Sequence, residues 1–160
     1  TATQVDTILV ELRSTTDPSI VVSSLKGVLS ITGTANFIFP SSVSGNSYWL
    51  VVKHRNSIET WSAAPVTMSM NGSYNFSNAA TKAYGSNEID MGGGVYAIYN
   101  GDMSHDGFID NFDFPIYETD KLGFLSGYYD SDLNGDGFVD NFDFPIWDEN
   151  NFLFVGASTP

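Results

Sequence analysis

The stretches "DGFIDNFDFPI" (Asp106–Ile116) and "DGFVDNFDFPI" (Asp136–Ile146) differ at one of their eleven positions and lie thirty residues apart. Each belongs to a twelve-residue segment, Asp102–Asp113 "DMSHDGFIDNFD" and Asp132–Asp143 "DLNGDGFVDNFD". Numbered from one to twelve, both place oxygen-bearing side chains at one, three, five, nine and twelve. These are Asp102, Ser104, Asp106, Asp110 and Asp113, then Asp132, Asn134, Asp136, Asp140 and Asp143. Position six is glycine in both (Gly107, Gly137), and position eight is apolar (Ile109, Val139).

That spacing is the one by which a loop wraps a hard cation. Calcium takes six to eight oxygens at about 2.3–2.6 Å, and alternate residues turn theirs inward. The sixth residue makes the sharp turn, which glycine adopts without strain. The seventh offers a backbone carbonyl, here Phe108 and Phe138, and the twelfth closes the shell at the start of a helix. Two Ca²⁺ ions are therefore expected, one per loop, held by the ten side chains above and the two carbonyls. Magnesium suits the loops less well, because it demands six short bonds and gives up its waters reluctantly.

Composition agrees with this placement. The chain has 160 residues, 19 acids against 6 bases and a formal net charge of −13. Such a balance argues against nucleic acid and anionic membrane surfaces, whose phosphates need clustered Lys and Arg. Eight of the 19 acids stand in the two loops, where they repel one another unless a cation neutralises them. With 12 Phe, 8 Tyr and 3 Trp there is ample material for a packed core. Cysteine is absent, which excludes disulfides, thiolate metal sites and cysteine catalysis. No signal peptide and no membrane-length apolar run is visible.

The first half reads as β structure. Strands are expected over Val5–Arg13, Ala35–Pro40, Tyr48–Arg55, Pro65–Met70 and Ser73–Ser77. Ser19–Gly33 reads as two strands near a bend at Gly27. Turn signals at Asp17-Pro18, Ser44-Gly45-Asn46 and Asn71-Gly72 separate these runs. Short strands without intervening helices predict an antiparallel, immunoglobulin-like β-sandwich over residues 1–80. Residues 81–94, ending in three consecutive glycines, read as a connection. Residues 95–160 read as a strand, Val95–Tyr99, leading into two loop–helix units. Pro115 and Pro145 are acceptable if each helix starts near Asp113 or Asp143, which puts proline in the first turn. The helices are expected to run to about Leu122 and Asn151. On such helices Phe112 and Ile116 share one face, and Phe114 and Tyr117 another. One stripe should fill the core between the repeats; the other must pack on the β domain or meet a partner, and packing within the chain is the expectation.

No convincing helix precedes either loop, so the unit is loop then helix, twice. This resembles dockerin modules over Gly101 to about Val155, although Asp rather than the longer Glu occupies position twelve. In dockerins, loop positions ten and eleven contact a cohesin partner, which points to Asn111-Phe112 and Asn141-Phe142. The small hydroxyl pair usual there is replaced by Asn-Phe. Beyond the loops, "VDTILVELR", "YWLVVKHRNSIETWSAAPVTM", "YNFS", "AYG", "GGGVYAIYNGDMSHDGFID" and the closing "FVGASTP" occur in order. They resemble a C-terminal module of large secreted or surface proteins of Bacteroidetes-type bacteria, in which a β-sandwich precedes dockerin-like calcium repeats. The resemblance implies an extracellular location and a structural or adhesive role. Such modules often carry another strand upstream of the "VELR" segment, so an unpaired sheet edge there is expected. An open edge invites a strand from another chain, and head-to-tail repetition would give a filament.

Catalysis is not expected. His54 and Arg55 follow an apolar strand with no nucleophile at a meaningful spacing, and neither HExxH nor GxSxG occurs. With Trp61 they read as structural. The sequence reading is thus a mainly β, extracellular, calcium-binding structural protein that is not an enzyme. Its expected partner is protein, through self-assembly or a cohesin-like receptor. A glycan on the sandwich aromatics is a further candidate.

Overall fold

A computed structural model describes residues 4–160. The fold is mainly β, with antiparallel sheets and two short helices. The chain divides into two compact units. The first comprises the residues up to His54, then Thr60–Ala97 and Ser158–Pro160. The second comprises Arg55–Glu59 and Ile98–Ala157.

The first unit is built on β1 (Gln4–Arg13), β2 (Val21–Ser30) and β3 (Ser47–His54). With β4 (Ser57–Trp61), within which the division of the chain falls, they form a sheet in the order β2-β1-β3-β4. β5 (Val66–Thr67) pairs with the start of β3. Register follows the apolar pattern, because a one-residue slip would turn every side chain to the other face. Leu12 opposes Leu50, and both enter a core with Val43, ringed by Phe39, Tyr48, Val66, Met68, Tyr74 and Phe76. On the opposite face Glu11 opposes Val51, and both are buried. The Glu11 carboxylate is held by Arg13 (Nε to Oε2 2.8 Å) and by Lys53 at 3.8 Å. The Arg13 guanidinium lies 4.9 Å from the Trp61 ring centre, and Trp49 packs edge-on against Trp61 and Tyr84.

Several expectations need correction. Ser19–Gly33 makes one strand, not two about a bend. Gly27 sits mid-strand opposite Ile8, and the Phe37 ring fills the space its side chain would need, 2.5 Å from an ideal Cβ. The glycine is therefore there for close approach, not for a turn. Ala35–Pro40 is not a strand; its Phe37 and Phe39 stack with ring centres 6.2 Å apart. Ser73–Ser77 is also irregular, and Pro65–Met70 shrinks to β5. β4, which was not expected, follows a turn at Arg55–Asn56. The "VELR" segment is not an edge: β1 lies between β2 and β3, and the outer strand is β2. The glycine triplet closes a hairpin between β6 (Ile89–Gly92) and β7 (Val95–Ala97). Just before it, Glu88 is buried with neither carboxylate oxygen hydrogen-bonded, and burial pushes its carboxyl up to about 7.

In the second unit, α1 (Phe114–Leu122) and α2 (Phe144–Phe152) follow the two loops. Each starts from an Asp at the cap position and carries its proline in the first turn, where the missing N–H costs nothing. The core joins Ile58, Met103, Ile109, Tyr117, Leu133, Val139, Trp147 and Val155. The rings of Phe114, Tyr117, Phe144 and Trp147 pack between the helices, the closest centres 5.2 Å apart. The inward stripe is thus Phe114/Tyr117 and its copy Phe144/Trp147. Phe112 and Phe142 do not pack within the chain: each is 73% exposed. Gly123 ends α1 in right-handed geometry, and the left-handed residue is the next one, Phe124 (φ 50°), matched by Phe154 (φ 55°) after α2. No helix among the described residues is long and apolar enough to cross a membrane.

Candidate metal centres

The two loops fold alike because the same carboxylates catch the same amides. At position one, Asp102 Oδ2 accepts from the Gly107 amide and Asp132 Oδ2 from the Gly137 amide, both at 3.1 Å. Gly107 and Gly137 have φ of 88° and 87°, a region that penalises any side chain. At position twelve, Asp113 accepts from the Ser104 (2.8 Å) and Asp110 (2.9 Å) amides. Asp143 accepts from Leu133 (2.8 Å), Asn134 (3.0 Å) and Asp140 (2.9 Å). These carboxylates face back into their loops, so neither caps its helix. Positions five and nine make local turns. Asp106 and Asp136 accept from the Phe108 and Phe138 amides, and Asp110 and Asp140 from those of Phe112 and Phe142. Asn134 Oδ1 accepts from the Asp136 amide at 2.8 Å, while the Ser104 hydroxyl lies 3.5 Å from Asp102.

Burial sorts the residues into two groups. Asp102, Asp113, Asp132 and Asp143, at the ends of the loops, are buried. Ser104 and Asp110 in the first loop and Asp140 in the second are half-buried, while Asp106, Phe108, Asn134, Asp136 and Phe138 are exposed. Asn111 and Asn141 are exposed beside Phe112 and Phe142. Burial, then the neighbouring charge of Asp113, raises the Asp102 carboxyl above its ordinary range. Burial raises Asp113 and Asp143 as well. Among the described residues no ion pair reaches these three. No group of three or more Asp, Glu, His or Cys side chains among the described residues converges tightly enough to hold an ion unaided. Ligation would draw on Ser104 or Asn134 and on the seventh-position carbonyl as well. The donors are oxygen throughout, and each loop contributes two buried acids, so the set fits a hard divalent cation.

The repeats interlock in a way that spacing did not reveal. Tyr117 Oη donates to the Asp140 carbonyl at 2.9 Å, and Trp147 Nε1 donates to the Asp110 carbonyl at 3.2 Å. Each helix thus braces position nine of the other loop. The Val139 amide donates to Leu125 O (3.0 Å) and the Ile109 amide to Val155 O (2.8 Å). Each loop is therefore clamped by the segment that follows the other helix, and the left-handed Phe124 and Phe154 turn those segments back.

One feature breaks the symmetry. Arg55 Nη2 donates to Asp132 O at 2.8 Å and approaches the Asp132 carboxylate at 3.9 Å, while Nη1 donates to Tyr129 O. Its guanidinium lies 4.6 Å from the Tyr128 ring centre. Asn56 Nδ2 also donates to Asp132 O, and Asn100 Nδ2 to Leu133 O. Arg55 stands out in the sequence only as a structural residue beside His54, and no local pattern marks Asn56; both stand far upstream of the loop they hold. His105, at loop position four, is exposed and meets Asp130 at 3.0 Å. Compared with known proteins, the chain matches no family model, no curated protein and no solved structure.

Proposed function

We propose that the chain is a non-enzymatic, calcium-stabilised structural protein that works outside the cell as a module for protein assembly. Asp102, Ser104, Asp106, Asp110, Asp113 and the Phe108 carbonyl would hold one Ca²⁺. Asp132, Asn134, Asp136, Asp140, Asp143 and the Phe138 carbonyl would hold the other. The ion supplies charge neutralisation for acids that burial has stripped of water. The observation that carries this reading is the pair of buried acids closing each loop, Asp102 with Asp113 and Asp132 with Asp143. Buried carboxylates require a counter-charge or a proton. The second unit is small, and metal would act as its staple. Its reciprocal clamps support a dockerin-like pair, and the sheet, buried on both faces around Leu50 and Val51, supports a sandwich. An extracellular setting suits modules with calcium affinities in the millimolar range and tighter. Structural roles for His54 and Arg55 are supported by their partners, Asp6 at 2.8 Å for the first and loop carbonyls for the second. Filament growth would require, besides an open edge, a second complementary surface; micrographs with and without calcium test it.

Calorimetry tests the metal reading: calcium titrated into chelator-stripped protein should bind at two sites and raise the melting temperature. Absence of heat together with melting indifferent to EGTA would overturn it. A second reading, docking to a cohesin-like receptor, is favoured by exposed Phe112 and Phe142 beside Asn111 and Asn141. Loss of receptor capture in the F112A/F142A double variant, with calcium binding intact, would support it.

A further inference from the structure

The geometry points to the outer edge of β2 as an assembly surface that pairs, antiparallel, with the β2 edge of a second copy of this chain. This rests on the assembly part of the proposed function and not on its metal part.

The first observation is the openness of the strand. β2 is ten residues long and hydrogen-bonded to β1 along its length, with no strand on its other side among the described residues. Backbone groups alternate in direction along a strand, so a row of N–H and C=O groups faces outward. The far edge offers no such row: β4 has five residues, and only Glu59 among them is not buried.

The second is that β2 carries few of the devices that blunt edges. It holds no proline, its one charge is Lys26, and its register shifts fall only near its ends. Val21, Val22 and Val28 are 43–49% exposed, with Ile20 and Ile31 exposed at either end.

The third is charge. The chain carries −13, yet no Asp or Glu occurs between Pro18 and Ile58. Two copies repel through the acids elsewhere, and β2 lies in the longest stretch free of them. A charged foreign strand would find only Lys26 to complement it, whereas a second β2 meets a matching, nearly uncharged, apolar edge. An edge that pairs with itself does so about a twofold axis and closes as a dimer. Ten residues at about 3.4 Å each give a seam of about 34 Å, a small contact suited to association in the micromolar to millimolar range.

Sedimentation of the whole chain across that range should show monomers passing to dimers. Hydrogen exchange should show alternate β2 amides gaining protection as concentration rises. The V22K/V28K double variant, altered only at exposed positions, should weaken dimerisation at least tenfold while melting like the parent. The same runs in EGTA separate this from the metal reading, because β2 belongs to the first unit and the dimer should persist without calcium. A chain monomeric at millimolar concentration, a dimer untouched by V22K/V28K, or one that requires calcium would overturn the assignment.

Discussion

The two acidic loops share a hydrogen-bond plan almost atom for atom, yet they are anchored differently. The second receives Arg55, Asn56 and Asn100 on the carbonyls of Asp132 and Leu133. Among the described residues the first has no arginine among its hydrogen-bond partners, while like charge between the opening and closing acids is common to both loops. Repetition thus supplies two copies of one oxygen-rich loop, and a distant cation distinguishes them.

The largest expected effect treats the loops together. An ion present at about a hundredfold over its Kd adds about 2.7 kcal/mol. Stripping both with EGTA should therefore lower the melting temperature of the second unit by roughly ten degrees or more. Calorimetric scans with and without chelator measure it. Next come the single knock-outs. D113A and D143A should each reduce the stoichiometry from two ions to one and cost about half as much; a mutant that loses both ions would show that the reciprocal clamps couple the sites.

Arg55→Met separates the loops. It removes a charged donor from the Asp132 carbonyl and should weaken the second site alone, by about 1.5–3 kcal/mol. Two-site titration reads this, and equal weakening of both sites would break the asymmetry. Tyr117→Phe deletes only the hydroxyl that reaches Asp140 and should cost about 1 kcal/mol, seen as a modest fall in denaturant midpoint.

The smallest effect is on pH. Asp102, Asp113 and Asp143 are held above their ordinary value of 3.8. A carboxyl raised in the fold contributes stability that is whole below its unfolded value and is lost as pH rises through the folded one. Metal-free protein should therefore gain stability on acidification from about pH 7 towards pH 4. With calcium bound the sense reverses, since protons compete with the ion. A melting series at matched ionic strength checks both.

How much could be read in advance depended on the range of the interactions. The loops and the helices after them were legible because glycine at six, acids at alternate positions and proline in the first turn act within a dozen residues. β1 and β3 were legible because their apolar runs are long. Gly27 misled because its role is set by the ring of Phe37, ten residues away and off the strand. Ala35–Pro40 misled because aromatic residues suit a strand and a loop packed on a sheet equally well. Phe112 and Phe114, two residues apart with the same side chain, could not be ranked without knowing which way the helix turned.

The sequence by itself determined the two oxygen-rich loops, their shared register and the start of each helix, because short-range backbone geometry dictates them. Only the tertiary structure decided that Tyr117 and Trp147 brace one another's loops, that Arg55 anchors the second and that β2 forms the open edge. Those outcomes depend on which distant segments meet, and that is set by burying apolar surface across the whole chain, a quantity no local stretch encodes.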